Sequence, residues 1–139
     1  MDAGSKMNPL LTLEYIQTEH ENRYFDRKSA KIRVADLAPL ISAFANADGG
    51  TIVIGISDKK RTLEGIDSVG EDRINEFINA PKDCCKPMPD YKEEILQIIN
   101  TEGKADRLLL IQITGCHHRV IRTLNDATRL RIGDRSKEM

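Results

Sequence analysis

The sequence has no tryptophan, and aromatic residues make up only 4% of its 139 positions, so aliphatic side chains must build any core. Long apolar runs are missing too. The longest, Thr51 to Ile56, falls far short of the roughly 20 residues that a membrane-spanning helix needs. The N-terminal stretch has neither a basic segment nor an apolar run ending in small residues, which argues against a secretory signal. Cysteines are few and odd in number: Cys84 and Cys85 are adjacent and Cys116 stands alone, which is not a disulfide framework. Reduced thiols and a cytoplasmic location are the expectation. No Gly-x4-Gly-Lys-Ser/Thr occurs, and the Gly49-Gly50 pair closes a predicted helix and opens a predicted strand. A phosphate-cradling loop has the reverse order, so a nucleoside triphosphatase is not expected. Nor is there a Gly-x-Ser-x-Gly elbow, and His20, His117 and His118 have no evident Ser or Cys partner for nucleophilic catalysis.

What remains is a composition 40% hydrophobic and 31% charged, in a length that fits one packed domain. Met1 to Lys6 reads as an expression remnant ahead of a second methionine, Met7. The stop just after Gly133 to Lys137 has the look of a domain cut from a longer protein. The expected organisation is an N-terminal segment over 1–20 with a short helix, then one domain over 21–139.

A net charge of −1 conceals an uneven distribution. Five basic residues and one acid lie between Arg23 and Arg33, Lys59-Lys60-Arg61 adds three more, and Arg119 to Lys137 holds six bases against two acids. Glu64 to Glu94 carries nine acids and four bases. Basic segments gathered on one face would suit a phosphate backbone, whereas scattered they are ordinary solvated surface.

Apolar spacing at Leu10, Leu13 and Ile16 predicts a short helix over Pro9 to Glu19. Tyr24 to Ser29 reads as an edge strand. Asp36 is placed to cap a helix with Pro39 in its first turn and an apolar face of Leu37, Leu40, Ile41, Phe44 and Ala45. That helix is expected to end in a glycine cap at Gly49-Gly50. Thr51 to Ile56 lacks polar alternation, as a central strand buried on both faces should. Ser68 and Glu71 fit a capping box, opening a helix through Ile74, Phe77 and Ile78 that Pro81 should terminate. Glu94 to Ile99 and Leu108 to Ile113 read as a β-hairpin, although the first run also fits a helix. Two short strands, Val120 to Thr123 and Thr128 to Ile132, flank the turn residues Asn125-Asp126.

Two sets of residues carry possible metal chemistry. Cys84, Cys85, Cys116, His117 and His118 include enough donors for tetrahedral zinc, but neither half has the two-residue gap of a zinc knuckle, and adjacent residues point apart. No metal site is expected there. Glu21 and Asp26 sit just before Arg27-Lys28, and Asp58 follows the predicted central strand. Converging beside Lys28, these three carboxylates would hold a divalent cation against a phosphodiester; apart, they are surface acids.

Three blocks resemble the Alba-like domain of the Schlafen family and of bacterial transcriptional regulators. Glu21 to Lys28 resembles its opening Glu-Ser-x-x-Val-Glu-Phe-Lys, Ile41 to Asp58 its helix-to-strand signature, and Leu130 to Ser136 its closing Arg-x-Gly-x-x-Ser. The sequence departs at Asp26, where Glu is usual, and at Arg27, where an apolar or aromatic residue is usual. The resemblance implies an α+β fold with a small mixed sheet and two main helices. It also implies a DNA-binding or structured-RNA-binding module of a regulator, and among the basic segments Lys28, Lys31, Arg33, Lys59, Arg129, Arg131 and Arg135 are the expected phosphate contacts. A homo-oligomer is expected, with no membrane partner and no required cofactor. The alternatives are a Schlafen-type endoribonuclease using Mg²⁺ or Mn²⁺ at Glu21, Asp26 and Asp58, and a protein-interaction or dimerisation module.

Overall fold

A computed structural model describes residues 16, 24–57 and 60–123, together with the backbone of the strands over 129–132 and 135–138. The predicted helix over Pro9 to Glu19 lies outside these residues except for Ile16, which is helical and fully buried.

Strand β1 (Phe25–Lys28) leads through a 3-10 turn (Val34–Asp36) into helix α1 (Leu37–Ala45), and the chain returns as β2 (Gly49–Ile54). A second 3-10 turn (Asp67–Val69) precedes α2 (Glu71–Cys84). The strands β3 (Cys85–Lys86), β4 (Tyr91–Ile99), β5 (Ala105–Thr114), β6 (Arg122–Thr123), β7 (Arg129–Ile132) and β8 (Arg135–Glu138) follow. The main sheet has the order β1-β2-β5-β4, with β1 parallel to β2 and the other pairs antiparallel. This is the expected α+β fold with a mixed sheet and two main helices. β3 pairs with β6 and β7 with β8 in two small separate ladders. Among the described residues no helix is long and apolar enough to cross a membrane.

β2 is central because both its faces are apolar. Ile52 and Ile54 join one core cluster with Leu37, Leu40, Ile41 and Phe44 of α1 and with Phe77 of α2. Val53 faces the other way, into a second cluster with Ile16, Phe25, Leu108 and Leu110. Each fully buried Leu, Ile or Phe contributes about 1.5–3 kcal/mol relative to exposure, so these two layers dominate the stability of the sheet.

Several local expectations fail for identifiable reasons. Asp36 makes no capping hydrogen bond, because the preceding 3-10 turn already gives it helical backbone and its carboxylate turns outward to Arg33. α1 ends at Ala45, before the glycines. Gly49, at φ +88, instead opens β2 where a Cβ would stand 2.6 Å from the Ile113 carbonyl oxygen, and Gly50 leaves room for the Phe44 ring. The Ser68–Glu71 capping box does not form: Gly70 is the N-cap, and Glu71 is drawn across to Arg107 Nη2 at 2.7 Å. Pro81 lies inside α2, where its burial with Ala80 and Phe77 in the core offsets the missing backbone hydrogen bond. β2 stops at Ile54 and not at Ile56, since Gly55 has φ +118 and Ile56 makes only an isolated bridge to Leu63. The β-hairpin forms, and longer than expected, as β4 and β5. The two short strands expected near the C-terminus form as β6, which joins β3, and β7, which joins β8. The turn residues Asn125-Asp126 lie outside the described residues.

Candidate nucleic-acid interface

Lys28 is the last residue of β1, and the register decides which way it faces. Asp26 lies beside Ile52 and Lys28 beside Ile54, so both side chains share the face of the sheet that α1 covers. The carbonyl of Lys28 accepts hydrogen bonds from Gly55 N at 2.8 Å and Ile56 N at 3.4 Å, tying the ends of β1 and β2 together. The following loop is held from several sides. Ile32 N donates to Ser29 O, Lys31 N donates to Ser29 Oγ, and Ala30 N donates to Glu64 Oε1 at 3.0 Å, while Arg73 reaches the carbonyl of Ile32 at 3.4 Å. Lys31 and Arg33 therefore stand exposed on a loop whose backbone is already ordered. A cleft of about 320 Å³ opens beside it, lined by Lys31, Glu64, Ser68, Asn100 and Asp106.

The charges on this rim are partly spoken for. Lys28 Nζ lies 3.3 Å from Oδ1 of Asp26, and the Asp26 side chain is only 3% exposed. Arg33 grips Asp36 through Nε at 3.2 Å and Nη2 at 3.1 Å, and these hydrogen bonds hold the arginine above and the aspartate below their usual pKa values. Lys31 has no carboxylate partner among the described residues. Strand β7 packs beside α1, with β8 next to it, so the segments bearing Arg129, Arg131 and Arg135 lie on the α1 side of the sheet, the side that Lys28 faces. Nothing is described of those three side chains.

Of the three carboxylates, Glu21 and Asp58 lie outside the described residues, as does Lys59. Asp26 alone is placed, with Lys28 Nζ against its Oδ1. Cys85 is buried with its thiol 3.8 Å from the Ala38 carbonyl, Cys116 sits just past β5, and His117 lies 4.0 Å from Asp48. No three His, Cys, Asp or Glu side chains converge as a metal cluster among the described residues.

Two features escaped the sequence reading. Arg27, at the position where an apolar residue is usual, is 1% exposed on the second core face. Its Nε donates to the Ile16 carbonyl at 2.7 Å, and its guanidinium carbon lies 4.9 Å from the Phe25 ring centroid, so it ties the N-terminal segment to β1. The departure from the apolar pattern was its only sequence signal. Asp106 is the second. Its carboxylate accepts from Ile66 N, Asp67 N, Arg107 N and Asn100 Nδ2, which joins the loop before α2 to the β4–β5 turn. No sequence pattern marks it.

Fold and rim together define a small α+β module with an ordered basic loop at one sheet margin. The Schlafen AlbA_2 family model matches residues 16–139, and the chain belongs to that family. Membership is consistent with a nucleic-acid-binding module. The fold is also similar to a crystal structure of the DIP2311 protein from Corynebacterium diphtheriae, with a TM-score of 0.58 at 20% identity over 92% of this chain. The chain spans 23% of the length of that protein. No curated protein matches the sequence.

Proposed function

We propose that this chain is a cytosolic nucleic-acid-binding module, DNA-binding in a transcriptional regulator, that contacts phosphates through Lys28, Lys31, Arg33, Lys59, Arg129, Arg131 and Arg135. The observation that carries the reading is the ordered Ser29–Arg33 loop, which presents Lys31 with no carboxylate partner among the described residues, on the side of the sheet where β7 and β8 also lie. An ordered loop loses little entropy when it meets a phosphate, and a cation not engaged by a carboxylate gives up no ion pair on binding. Arg33 can exchange Asp36 for a phosphate, since an exposed pair of this kind is weak.

Titration of a DNA duplex and of a structured RNA at several salt concentrations tests this. Affinity should fall steeply with salt, and removal of one phosphate contact by Lys31→Glu or Arg131→Glu should reduce the log–log slope by about 0.9 on B-DNA. Absence of salt-dependent retention of either nucleic acid by the folded chain would refute it. The nuclease reading keeps its own assay, incubation with transfer RNA and Mn²⁺. Cleavage by the wild type and its loss in Asp26→Ala would favour an enzyme.

A further inference from the structure

β4 is a nine-residue strand at the end of the main sheet, and among the described residues no strand pairs with its outer edge. Long edge strands are usually blunted by charge, proline or a bulge. Here the charges Lys92, Glu93 and Glu94 are confined to the first half of the strand. Its second half leaves Ile95 38% and Ile99 61% exposed.

The hydrogen-bond parity shows which residues face outward. The β4–β5 register continues past both ends of β4, with Thr114 N donating to Asp90 O at 2.9 Å and Asn100 N to Lys104 O at 2.8 Å. Bonded and non-bonded pairs alternate in an antiparallel ladder, so the even-numbered residues of β4 direct their backbone groups to β5. The odd-numbered residues, Tyr91, Glu93, Ile95, Gln97 and Ile99, direct theirs to the open edge.

We propose that this edge is a homodimer interface in which β4 pairs antiparallel with β4 of a second copy, with Ile95 opposite its own counterpart across the two-fold axis. That register sets Tyr91 against Ile99 and Glu93 against Gln97, so apolar residues meet apolar ones and a carboxylate meets an amide donor. It also joins the outward backbone groups in bonded pairs over the whole strand. A slip of two residues in either direction places Glu93 against Ile95 or Ile99. A slip of four toward the start of the strand sets Glu93 on Glu93, and a slip of four toward the turn leaves only Ile95 to Ile99 of each strand paired. The strand is complementary to itself, and this is what selects a second copy over an unrelated peptide. The result is one continuous sheet with the two Lys28–Arg33 loops at its opposite margins. The inference stands apart from the nucleic-acid reading and is tested without nucleic acid.

Sedimentation equilibrium of the full chain should show a monomer–dimer equilibrium. Gln97→Glu, which sets like charges opposite each other twice, should raise the dissociation constant about tenfold. Adding Glu93→Lys to Gln97→Glu should restore dimerisation, because each like-charge contact becomes an ion pair. An Ile95→Cys chain should form a disulfide-linked dimer on mild oxidation, faster than the wild type with its native cysteines, since paired Cα atoms at about 5.5 Å suit a disulfide. A monomer up to millimolar concentration would overturn the proposal. So would a dimer indifferent to Gln97→Glu, or one that the double change fails to restore while circular dichroism shows native structure.

Discussion

Asn46 and Ile121, 75 residues apart, form a two-way clamp: the Asn46 amide oxygen accepts from Ile121 N at 2.7 Å, and its Nδ2 donates to Ile121 O at 2.8 Å. Ser42 Oγ donates to the same carbonyl at 2.7 Å. A side-chain amide here imitates a β-ladder partner and fastens the C-terminal end of α1 to the segment entering β6. Replacing Asn46 with Ala orphans the Ile121 N–H beside a fully buried side chain and leaves its carbonyl with Ser42 alone. The expected loss is about 2–4 kcal/mol in urea unfolding, with an unchanged denaturant slope.

Gly65 and Gly103 both have positive φ, +77 and +79, but only one is hemmed in. A Cβ on Gly65 would fall inside the carboxylate of Asp106, whereas nothing lies within 4 Å of one on Gly103. Gly103→Ala should therefore cost about 1 kcal/mol for its backbone conformation alone. Gly65→Ala should cost more than about 3 kcal/mol or prevent folding, because it also displaces a buried acceptor. Thermal unfolding of the pair makes the comparison.

Asp106 links stability to acid. Burial pushes its pKa up, but the hydrogen bonds from Asn100 and from the backbone of Asp67, Arg107 and Ile66 outweigh burial and leave it below the usual 3.8. A carboxyl depressed in the folded state stabilises at pH above its unfolded value, and that contribution is lost as pH falls through the folded one. Wild-type stability should decline below about pH 4. Asp106→Asn should be destabilised already at neutral pH and should decline less on acidification, as followed by the urea midpoint.

The three thiols should react in a set order. Burial pushes Cys85 up to about 12, and burial also raises Cys84, beside Asp83. Cys116 is held below its usual value by the backbone N–H groups of His118 and Arg119. Since the thiolate is the nucleophile, iodoacetamide at about pH 8 should modify Cys116 first and Cys85 last, as read by peptide mass spectrometry. Early labelling of Cys85 in the folded chain would contradict its place against Ala38.

The elements that were legible in the sequence are those whose signal is periodic and local. The three- and four-residue spacing from Leu37 to Ala45 can only bury one helical face, and the unbroken β-branched run at Ile52 to Ile54 can only lie between two layers. The apolar runs of β4 and β5 around Asn100 to Lys104 read as a hairpin for the same reason. The caps were misread because their side chains have competing partners: Glu71 is taken by Arg107, 36 positions away, and Asp36 by Arg33 in the turn just before it.

The candidate site divides along the same line. Lys28, Lys31 and the C-terminal arginines stand out in the sequence as basic clusters, because charge density is a local property. Whether those clusters share a side depends on the β1–β2 register and on the packing of β7 beside α1, two elements far apart in sequence. Sequence alone determined the α+β class, the aliphatic core and the family. Tertiary structure alone decided that Asp26 would be buried against Lys28, that Arg27 would leave the surface to hold Ile16, and that no described strand would pair with the outer edge of β4. These outcomes depend on which of several competing hydrogen-bond and packing partners gives the lower free energy once the layers have closed, and a one-dimensional pattern does not encode that competition.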